Sequence, residues 1–221
     1  MRDLHCHILP DVDDGAVDLS MSLRMLEAAR AVGIDEMVCT PHANSPWFDY
    51  IQMVQAFDMF RQIAAREAPE MHVSMGFEVA HRKLVQLGVK QWASYLRFTE
   101  SSEILLELDP GCVKYDFRDY ERTIYELQGQ GLEVVIAHPE RYRAIQEDVG
   151  LARGLVGSGC KLQASASFVT ASLLSRERRC ARKLFSEGLY SYVASDAHRP
   201  KDYALLPCAI KHANRLGPVT F

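Results

Sequence analysis

Six short apolar segments of the chain each end on side chains that bind divalent cations. Five of the eight histidines occupy such positions. Imidazole and carboxylate ligands without thiolate suit Mn, Fe or Zn in a catalytic role. We therefore predict a catalytic metal centre built from six segment ends, in chain order His5-Cys6-His7, Thr40-Pro41-His42, Gly76-Phe77-Glu78, Glu107-Leu108-Asp109, His138-Pro139-Glu140-Arg141 and Ser195-Asp196-Ala197-His198.

The spacing of residues within each segment end indicates which side chains could bind the same ion. Residues two apart on a strand point to the same face, so His5 and His7 can bind one ion while Cys6 points away. Asp196-Ala197-His198 is predicted to repeat that geometry at the far end of the chain. The loop at 11–15, Asp-Val-Asp-Asp-Gly, adds carboxylates at the mouth of the site.

The number of candidate ligands exceeds six, which is too many for one ion and predicts two or three ions that share carboxylates. A purely structural origin for the whole set is disfavoured, because buried unpaired charges are costly. The other three histidines lack this placement. His72 and His212 are interpreted as surface or edge residues, and His81 is close enough to Glu78 to line the pocket.

Two arginines adjoin the candidate ligands. Arg141 stands three residues after His138, and Arg199 follows His198 directly. The planar guanidinium fork suits the oxygens of a phosphate, whereas the alternative for either side chain is an exposed salt bridge. We predict that Arg141 contacts phosphate; for Arg199 both interpretations stay open.

The segments that must position these residues alternate between strand and helix patterns. Apolar runs without clean alternation predict strands buried on both faces at Asp3–His7, Glu36–Thr40, His72–Glu78, Glu103–Leu108, Glu133–Ala137, Cys160–Ala166 and Tyr190–Ser195. Helical periodicity predicts helices at Leu19–Val32, Tyr50–Glu67, Arg82–Leu87, Asp119–Gln130, Ile145–Gly157, Thr170–Glu187 and Asp202–Leu216.

Seven β-then-α units imply a parallel sheet, either open or closed into a barrel. In a barrel all the strand ends meet at one face, whereas an open sheet would spread them along a line. Convergence of the ligands therefore favours an α/β barrel. No linker interrupts the pattern, and a single domain over residues 1–221 is expected.

The bulk composition is typical of a globular protein with a large core: 221 residues, 48% hydrophobic and 24% charged. The net charge of −4 gives no reason to expect nucleic acid. Six scattered cysteines without a Cys-x-x-Cys pair predict free, buried thiols in a reducing cytoplasm. No signal region or membrane-spanning run is present in the sequence, so a soluble, cytoplasmic protein without membrane insertion is expected.

The motifs HCHILPDVDDGA, TPH, GFE, LLELD, AHPERY and ASDAH, in this order, resemble the polymerase-and-histidinol-phosphatase (PHP) superfamily. Within it they resemble the bacterial PHP-type protein tyrosine phosphatases of capsule and exopolysaccharide biosynthesis. The resemblance runs from residue 3 to about residue 203 and implies a distorted TIM-like barrel of seven β/α units. It also implies a trinuclear centre, often of manganese, held by His5, His7, Asp14, His42, Glu78, Glu107, His138, Asp196 and His198.

The resemblance further implies phosphate binding by Arg141. For the reaction itself, a general acid, His42 or Asp196, is expected to be helpful rather than essential. Two departures from the family pattern stand out. Arg199-Pro200 follows the SDAH motif at once, where relatives place the second phosphate-binding arginine after a short loop. The stretch at 163–167, Gln-Ala-Ser-Ala-Ser, differs at the floor of the pocket.

The function implied is a metal-dependent hydrolase, most simply one acting on phosphotyrosine in proteins such as an exopolysaccharide-regulating tyrosine autokinase. One alternative is a small-molecule phosphatase of the superfamily, acting on substrates such as histidinol phosphate. The other is an inactive regulatory PHP module, although such modules normally lose ligands. The sequence leaves the native metal and the oligomeric state open.

Overall fold

The computed structural model describes residues 1–44 and 48–216; the remaining residues of the predicted domain, 45–47 and 217–221, lie outside this description. All strand pairs within the described residues are parallel. The strands are β1 Arg2–Cys6, β2 Glu36–Cys39, β3 His42–Ala43, β4 His72–Met75, β5 Glu78–Ala80, β6 Glu103–Glu107, β7 Glu133–Ala137, β8 Lys161–Ser165 and β9 Tyr192–Ala194.

The strands form a curled ring of seven positions. One sheet has the order β1-β2-β4 and the other β3-β5-β6-β7-β8-β9. Strand β3 continues β2 beyond Thr40-Pro41, where proline offers no N–H to the ladder, and β5 continues β4 beyond Gly76-Phe77. A parallel bridge between Cys6 and Ala197 joins the end of β1 to the segment that follows β9. The predicted distorted TIM-like α/β barrel is confirmed.

The junction between β1 and β9 is held by a buried carboxylate. The two oxygens of Asp3 accept hydrogen bonds from the backbone N–H and the hydroxyl of Ser195, at 2.8 and 2.6 Å. Burial raises the pKa of Asp3 to about 6, and the Ser195 bonds partly oppose this rise. Backbone bonds from Asp196 to His5 and from His7 to Ala197 continue the junction. Asp3 therefore joins the first strand to the end of the last strand.

Nine helices are present in the described part of the chain: α1 Leu19–Ala31, α2 Tyr50–Glu67, α3 His81–Leu87, α4 Val89–Leu96, α5 Phe117–Gln128, α6 Arg143–Glu147, α7 Gly150–Gly157, α8 Arg176–Ser186 and α9 Leu205–Ala213. The first begins at a cap in which Asp18 accepts the N–H of Met21 at 2.7 Å. It ends before Gly33, whose φ of +85° suits the left-handed conformation that terminates helices. The predicted bounds of α2 are confirmed at both ends.

One helix was missed, and three helix predictions need correction. Helix α4 was not predicted; Gly88 at φ +93° ends α3 and a second amphipathic helix starts at once. The predicted helix at Ile145–Gly157 is interrupted at Asp148, whose carboxylate accepts the N–H of Gly150. The predicted helix at Thr170–Glu187 starts only at Arg176, and the one at Asp202–Leu216 opens with a 3₁₀ turn over Pro200–Ala204.

The central strands carry the core. Ile104, Leu105 and Leu106 are fully buried, as expected of a strand covered on both faces. All six cysteines are free, and five are buried; Cys208 is exposed, which corrects the prediction for that residue. Among the described residues, no helix has both the length and the apolar character that crossing a bilayer requires.

Candidate metal centre

His5 and His7 point to the same side of β1 and meet over a buried pair of carboxylates. Their Nε2 atoms lie 3.1 Å apart. Glu78 Oε2 lies 3.2 Å from His5 Nε2 and 3.4 Å from His7 Nε2, and Asp196 Oδ1 lies 3.5 Å from both. All four side chains are buried. The predicted same-face geometry of His5 and His7 is confirmed.

A second group lies nearer the solvent and shares His7. Asp14 Oδ1 is 3.3 Å from Nε2 of His42 and 3.3 Å from Nε2 of His198. The ring of His198 stacks on that of His7 with centroids 4.0 Å apart. Together these four side chains offer ligand atoms close enough to bind one ion.

A third group joins His42, Glu78 and Glu107. His138 adjoins it, with Nε2 2.7 Å from Glu78 Oε1 and 3.9 Å from Glu107 Oε1. Glu78 is therefore common to two of the three groups and contacts four imidazoles, those of His5, His7, His42 and His138. All nine side chains predicted as ligands lie in this one cluster at the carboxyl ends of the strands.

Two cluster residues lie on left-handed backbone. His138 has φ +30° and Asp196 has φ +53°, a region that residues other than glycine rarely adopt. Strand β9 ends at Ala194, so the prediction that Asp196 and His198 repeat strand geometry is wrong. The left-handed turn brings both side chains to the cluster instead, with His198 Nδ1 3.0 Å from the carbonyl oxygen of Asp196.

The glycine of the first loop is required by a close approach to the first ligand strand. A Cβ on Gly15 would lie 2.0 Å from the carbonyl oxygen of His7. The loop thereby folds back over β1, with the N–H of Ala16 donating to the same carbonyl at 3.1 Å. This contact holds Asp14 at the mouth of the site.

Asp13 and Gln163 orient the two buried imidazoles, and the sequence did not single them out. Asp13 Oδ2 lies 2.8 Å from His7 Nδ1 and accepts the backbone N–H of His42 at 3.1 Å. Gln163 Oε1 lies 2.9 Å from His5 Nδ1. An acceptor at Nδ1 places the ring proton there and leaves the Nε2 lone pair toward the cluster.

We expect Asp13→Asn to lower metal affinity by 10- to 100-fold, because an amide has one acceptor oxygen and no charge, whereas the Asp13 carboxylate accepts from Gly15 through Oδ1 while it holds the His7 ring through Oδ2. Competition with a chelating dye measures this affinity without reference to activity. Asp11→Asn is the matched control, since Asp11 is exposed in the same loop and asparagine tolerates its φ of +56°. Equal affinities for the two variants would contradict the assignment.

The electrostatics of the cluster favour cations. Burial opposes ionisation of Glu78, but the imidazoles of His5 and His42 outweigh it and hold its pKa well below the usual range. The pKa of Asp196 is likewise held well below its usual range against burial, chiefly by His5 and His7. Burial and the Glu78 charge raise the pKa of Glu107 to about 7. Negative charge is therefore concentrated at the centre of the cluster.

The donor set fits divalent cations. Glu78 Oε2, His42 Nδ1 and His138 Nδ1 are buried and make no hydrogen bond of acceptable geometry among the described residues, although the first two atoms lie 2.9 Å apart. Buried polar atoms are rarely left in this condition, because the loss of solvation is costly. A cation bound at the centre would satisfy Glu78 Oε2, and the mixture of imidazole and carboxylate matches Mn, Fe or Zn.

Arg141 lies at the edge of the cluster, 32% exposed, in a polar cradle. Its Nη2 donates to Asp196 Oδ2 at 2.6 Å, Ser165 Oγ at 2.9 Å and Ser167 Oγ at 3.0 Å. One nitrogen thus anchors the side chain and leaves the rest of the fork for a ligand. Both serines belong to the stretch that departs from the family pattern.

Glu140 supports this cradle from below. It is buried and accepts the N–H of Ser165 at 2.9 Å and the hydroxyl of Tyr190 at 2.7 Å. Burial raises the pKa of Glu140 to about 7. The Glu140 contacts fix the turn that carries Arg141 against β8.

The structure does not bring Arg199 into the cluster. Its side chain is exposed and, within the described residues, makes no hydrogen bond or ion pair, while its backbone N–H donates to Asp202 at 2.9 Å. His72 is exposed and pairs with Glu100, as a surface residue. His212 is half-buried and packs edge-on against a phenyl ring, in keeping with an edge position.

His81 lines a cavity rather than the cluster itself. Its Nε2 lies 2.9 Å from Thr123 Oγ1, and burial lowers its pKa. The cavity has a volume of about 600 Å³ and extends along the rim to Glu107. His81 thus shares this rim cavity with Glu107 and lies outside the metal cluster.

Comparison with known proteins places the whole chain in one group. Residues 1–215 match the family model for capsular polysaccharide synthesis, CpsB/CapC. The chain is 32% identical to tyrosine-protein phosphatase YwqE of Bacillus subtilis (strain 168) over 203 residues, which are 91% of this chain and 78% of that protein. It is 27% identical to tyrosine-protein phosphatase CpsB of Streptococcus pneumoniae over 207 residues, covering 90% and 83%.

Solved structures agree with this placement. The crystal structures of YwqE from Bacillus subtilis and CpsB from Streptococcus pneumoniae, metal-dependent tyrosine phosphatases, include a chain with a TM-score of 0.79 and 28% identity, covering 100% of this chain and 96% of that one. Histidinol phosphate phosphatase from Lactococcus lactis, solved with zinc, L-histidinol and phosphate, gives a TM-score of 0.62 at 12% identity and covers 99% and 96%. That second likeness shows the fold alone.

Proposed function

The chain belongs to the CpsB/CapC family of capsular polysaccharide synthesis, and from that premise we propose that it is a metal-dependent phosphatase that hydrolyses phosphotyrosine in a protein. Relatives that it resembles over nine-tenths of its length are tyrosine-protein phosphatases. The observation that carries the proposal is the cluster of nine imidazole and carboxylate side chains with Arg141 at its edge. Capsule or exopolysaccharide synthesis is the setting we propose for it.

We propose that the cluster holds two or three divalent ions, with manganese as the native metal. His5, His7, Glu78 and Asp196 form the deepest group, and the two outer groups add the remaining ligands Asp14, His42, Glu107, His138 and His198. Bound there, such ions would activate water and stabilise the charge that grows on a transferred phosphoryl group.

The side chains of this protein provide the rest of the chemistry. The free part of the Arg141 fork binds phosphate oxygens and stabilises their charge during in-line attack. Tyrosine has a pKa of about 10 and leaves with little protonation. Asp196 is buried and already engaged by Arg141, whereas His42 is 23% exposed at the mouth, so His42, through the ring nitrogen that binds no ion, is the better candidate to donate a proton to the leaving oxygen.

No cysteine acts as nucleophile in this scheme. Cys6 is fully buried, and its thiol lies 3.5 Å from the carbonyl oxygen of Val38, away from the cluster. Burial raises the pKa of this thiol well above its usual value, which keeps it protonated. We expect Cys6→Ser to keep kcat within about twofold at unchanged metal content, even if the buried hydroxyl lowers thermal stability by about 1–3 kcal/mol. An inactive Cys6→Ser enzyme with its metals bound would contradict the scheme.

The proposed function is tested by elemental analysis together with assays on a phosphotyrosine peptide, histidinol phosphate and a nucleotide. We expect manganese in the protein as purified gently, turnover of the peptide above the other two substrates, and loss of activity with EDTA that manganese restores. Preference for histidinol phosphate would assign the small-molecule activity instead. Absence of both metal and turnover would indicate an inactive regulatory module.

A further inference from the structure

Helix α8 presents a row of positive charge on an acidic protein. Its eleven residues include five basic side chains and one acidic one, although the chain as a whole has a net charge of −4. This basic row consists of three residues on one helix face: Arg176, then Arg179 three residues after it and Lys183 seven residues after it. All three are exposed, whereas Cys180 beside them is buried and lines the same surface cleft as the row.

The basic row lines one wall of a surface cleft of about 340 Å³. The opposite wall includes Gln146 and Glu147 of α6. Among the described residues, the guanidinium groups of Arg176 and Arg179 make no hydrogen bond or ion pair. These two cations are therefore available to a ligand that enters the cleft.

The acidic side chains near the cleft are already engaged. Glu147 accepts Arg143 at 2.9 Å, and the carboxylate of Glu187 accepts both Lys183 and Arg153, at 2.9 and 2.7 Å. The positive charge of the two free arginines is thus not cancelled within the chain. A site with this charge and shape suits carboxylates or phosphates, which pair with the guanidinium fork through two hydrogen bonds.

The cleft adjoins the phosphate end of the candidate metal centre. Helix α6 starts two residues after Arg141, and α8 packs against the turn over Pro139–Arg141. Arg178 of α8 donates to the carbonyl oxygens of Val169 and Ala171, which fixes the segment that follows Ser167. The α6–α8 cleft therefore lies beside the turn that carries Arg141.

The neighbouring stretch of the rim, joined to α6 by the bond from the N–H of Arg143 to the carbonyl oxygen of Pro110, is acidic instead. Beyond Glu107, the cavity along the rim is lined by three more carboxylates, those of Asp109, Asp116 and Asp119, and by one cation, Arg82. An anionic segment is repelled there and attracted to the α8 side. The charge distribution thus favours acidic residues beside the reacting phosphate and favours a path of the substrate chain toward α8.

We propose that the cleft between α6 and α8 binds acidic or phosphorylated side chains that flank the phosphotyrosine of the protein substrate; this inference rests on the proposed phosphatase function. Leu173 and Leu174, exposed by 65% and 81% just before α8, contact apolar parts of the same segment. The cleft makes the enzyme selective for polypeptides over small phosphoesters.

The test compares the parent protein with Arg176→Glu/Arg179→Glu on three substrates: a phosphotyrosine peptide with glutamates on both sides, the same peptide with glutamines, and p-nitrophenyl phosphate. We expect the KM for the glutamate peptide to rise about tenfold with kcat unchanged, because two attractive charges become repulsive. The other two substrates should be unaffected. Glutamate in the first helical turn is favourable, so α8 is retained.

Arg24→Glu/Arg66→Glu is the matched control, with the same change in net charge on exposed residues of α1 and α2. It should leave the KM for every substrate within about twofold, since exposed charges beyond a Debye length are screened. An equal rise in KM for the two double variants would show a general charge effect and overturn the proposal. An unchanged KM for the glutamate peptide in Arg176→Glu/Arg179→Glu would overturn it as well.

Two further measurements separate other outcomes. Binding to anionic phosphatidylglycerol vesicles that is lost in Leu173→Ser/Leu174→Ser, with unchanged peptide kinetics in the arginine variant, would assign the surface to lipid and overturn the proposal. If the parent protein turns over p-nitrophenyl phosphate but neither peptide, the proposed function fails. The fluorescence anisotropy of a labelled glutamate peptide then tests binding to the cleft directly. Equal affinity of this peptide for the parent protein and the arginine variant would overturn the proposed cleft.

Discussion

Glu78→Gln is expected to lower phosphatase activity by about 10³-fold or more and to remove metal from the protein. Glu78 contacts four imidazoles and belongs to two of the three candidate groups, so its loss weakens more than one ion. A glutamine keeps the size of the side chain but supplies no negative charge. Loss of about 4 kcal/mol of charge stabilisation corresponds to roughly 10³ in rate.

Metal content by elemental analysis and activity at saturating manganese together measure this effect. Glu103→Gln is the matched control, because Glu103 lies at the other end of a neighbouring strand and pairs with Lys161 rather than with the cluster. That control should keep its metal and most of its activity. An active Glu78→Gln protein with a full metal complement would refute the role of Glu78 as a shared metal ligand. Thermal unfolding shows whether a loss of metal or activity reflects misfolding of the variant.

The strand ends of the candidate site were predictable from the sequence because their signals are local. An apolar run followed directly by a histidine or carboxylate identifies a strand and its end together, as at His5, Glu78 and His138. Parallel strands joined by helices must place those ends at one face. That reasoning does not depend on the bounds of the strands. It therefore holds although the structure divides two of the predicted strands, into β2 and β3 and into β4 and β5.

The remaining features arise from tertiary contacts that no local pattern encodes. Asp13 stands beside a predicted ligand in the same loop, and only the fold shows that it reaches His7 and the backbone of His42. Asp196 adopts left-handed backbone because bonds to the first strand hold it there. The spacing of Asp196 and His198 alone favoured an extended strand, and the long-range contact prevailed.

The helix bounds also separate into those that local sequence predicts and those that tertiary contacts determine. Tyr50–Glu67 is long, strongly periodic and capped by Asp49, and its predicted bounds agree with the structure. The region before α8 has helical periodicity from Thr170, but Arg178 binds the carbonyl oxygens of Val169 and Ala171 and holds this segment as a loop. The loop is what places Ser167 against Arg141.

Arg141→Ala is expected to lower kcat/KM by about 10²–10³-fold while metal content stays unchanged. The guanidinium binds Asp196 and two serines through one nitrogen and directs its remaining donors to the phosphate position. Donors held in place for a developing negative charge contribute this much in enzymes of many kinds. Arg141→Lys keeps the charge but loses the fork, so its activity should fall between those of the parent protein and Arg141→Ala.

Metal analysis shows whether Arg141 binds phosphate or mainly positions the metal ligand Asp196. Asp196 also contacts His5 and His7, so we expect it to keep its place without Arg141. Loss of metal in Arg141→Ala would mean that the arginine mainly positions Asp196. Arg199→Ala provides the comparison, since both arginines follow a histidine of the cluster but only Arg141 reaches it. We expect less than a threefold change for Arg199→Ala, as for an exposed side chain. A loss equal to that of Arg141→Ala would instead give Arg199 the phosphate contact that its sequence position first suggested, and would require its loop to move toward the mouth when substrate binds.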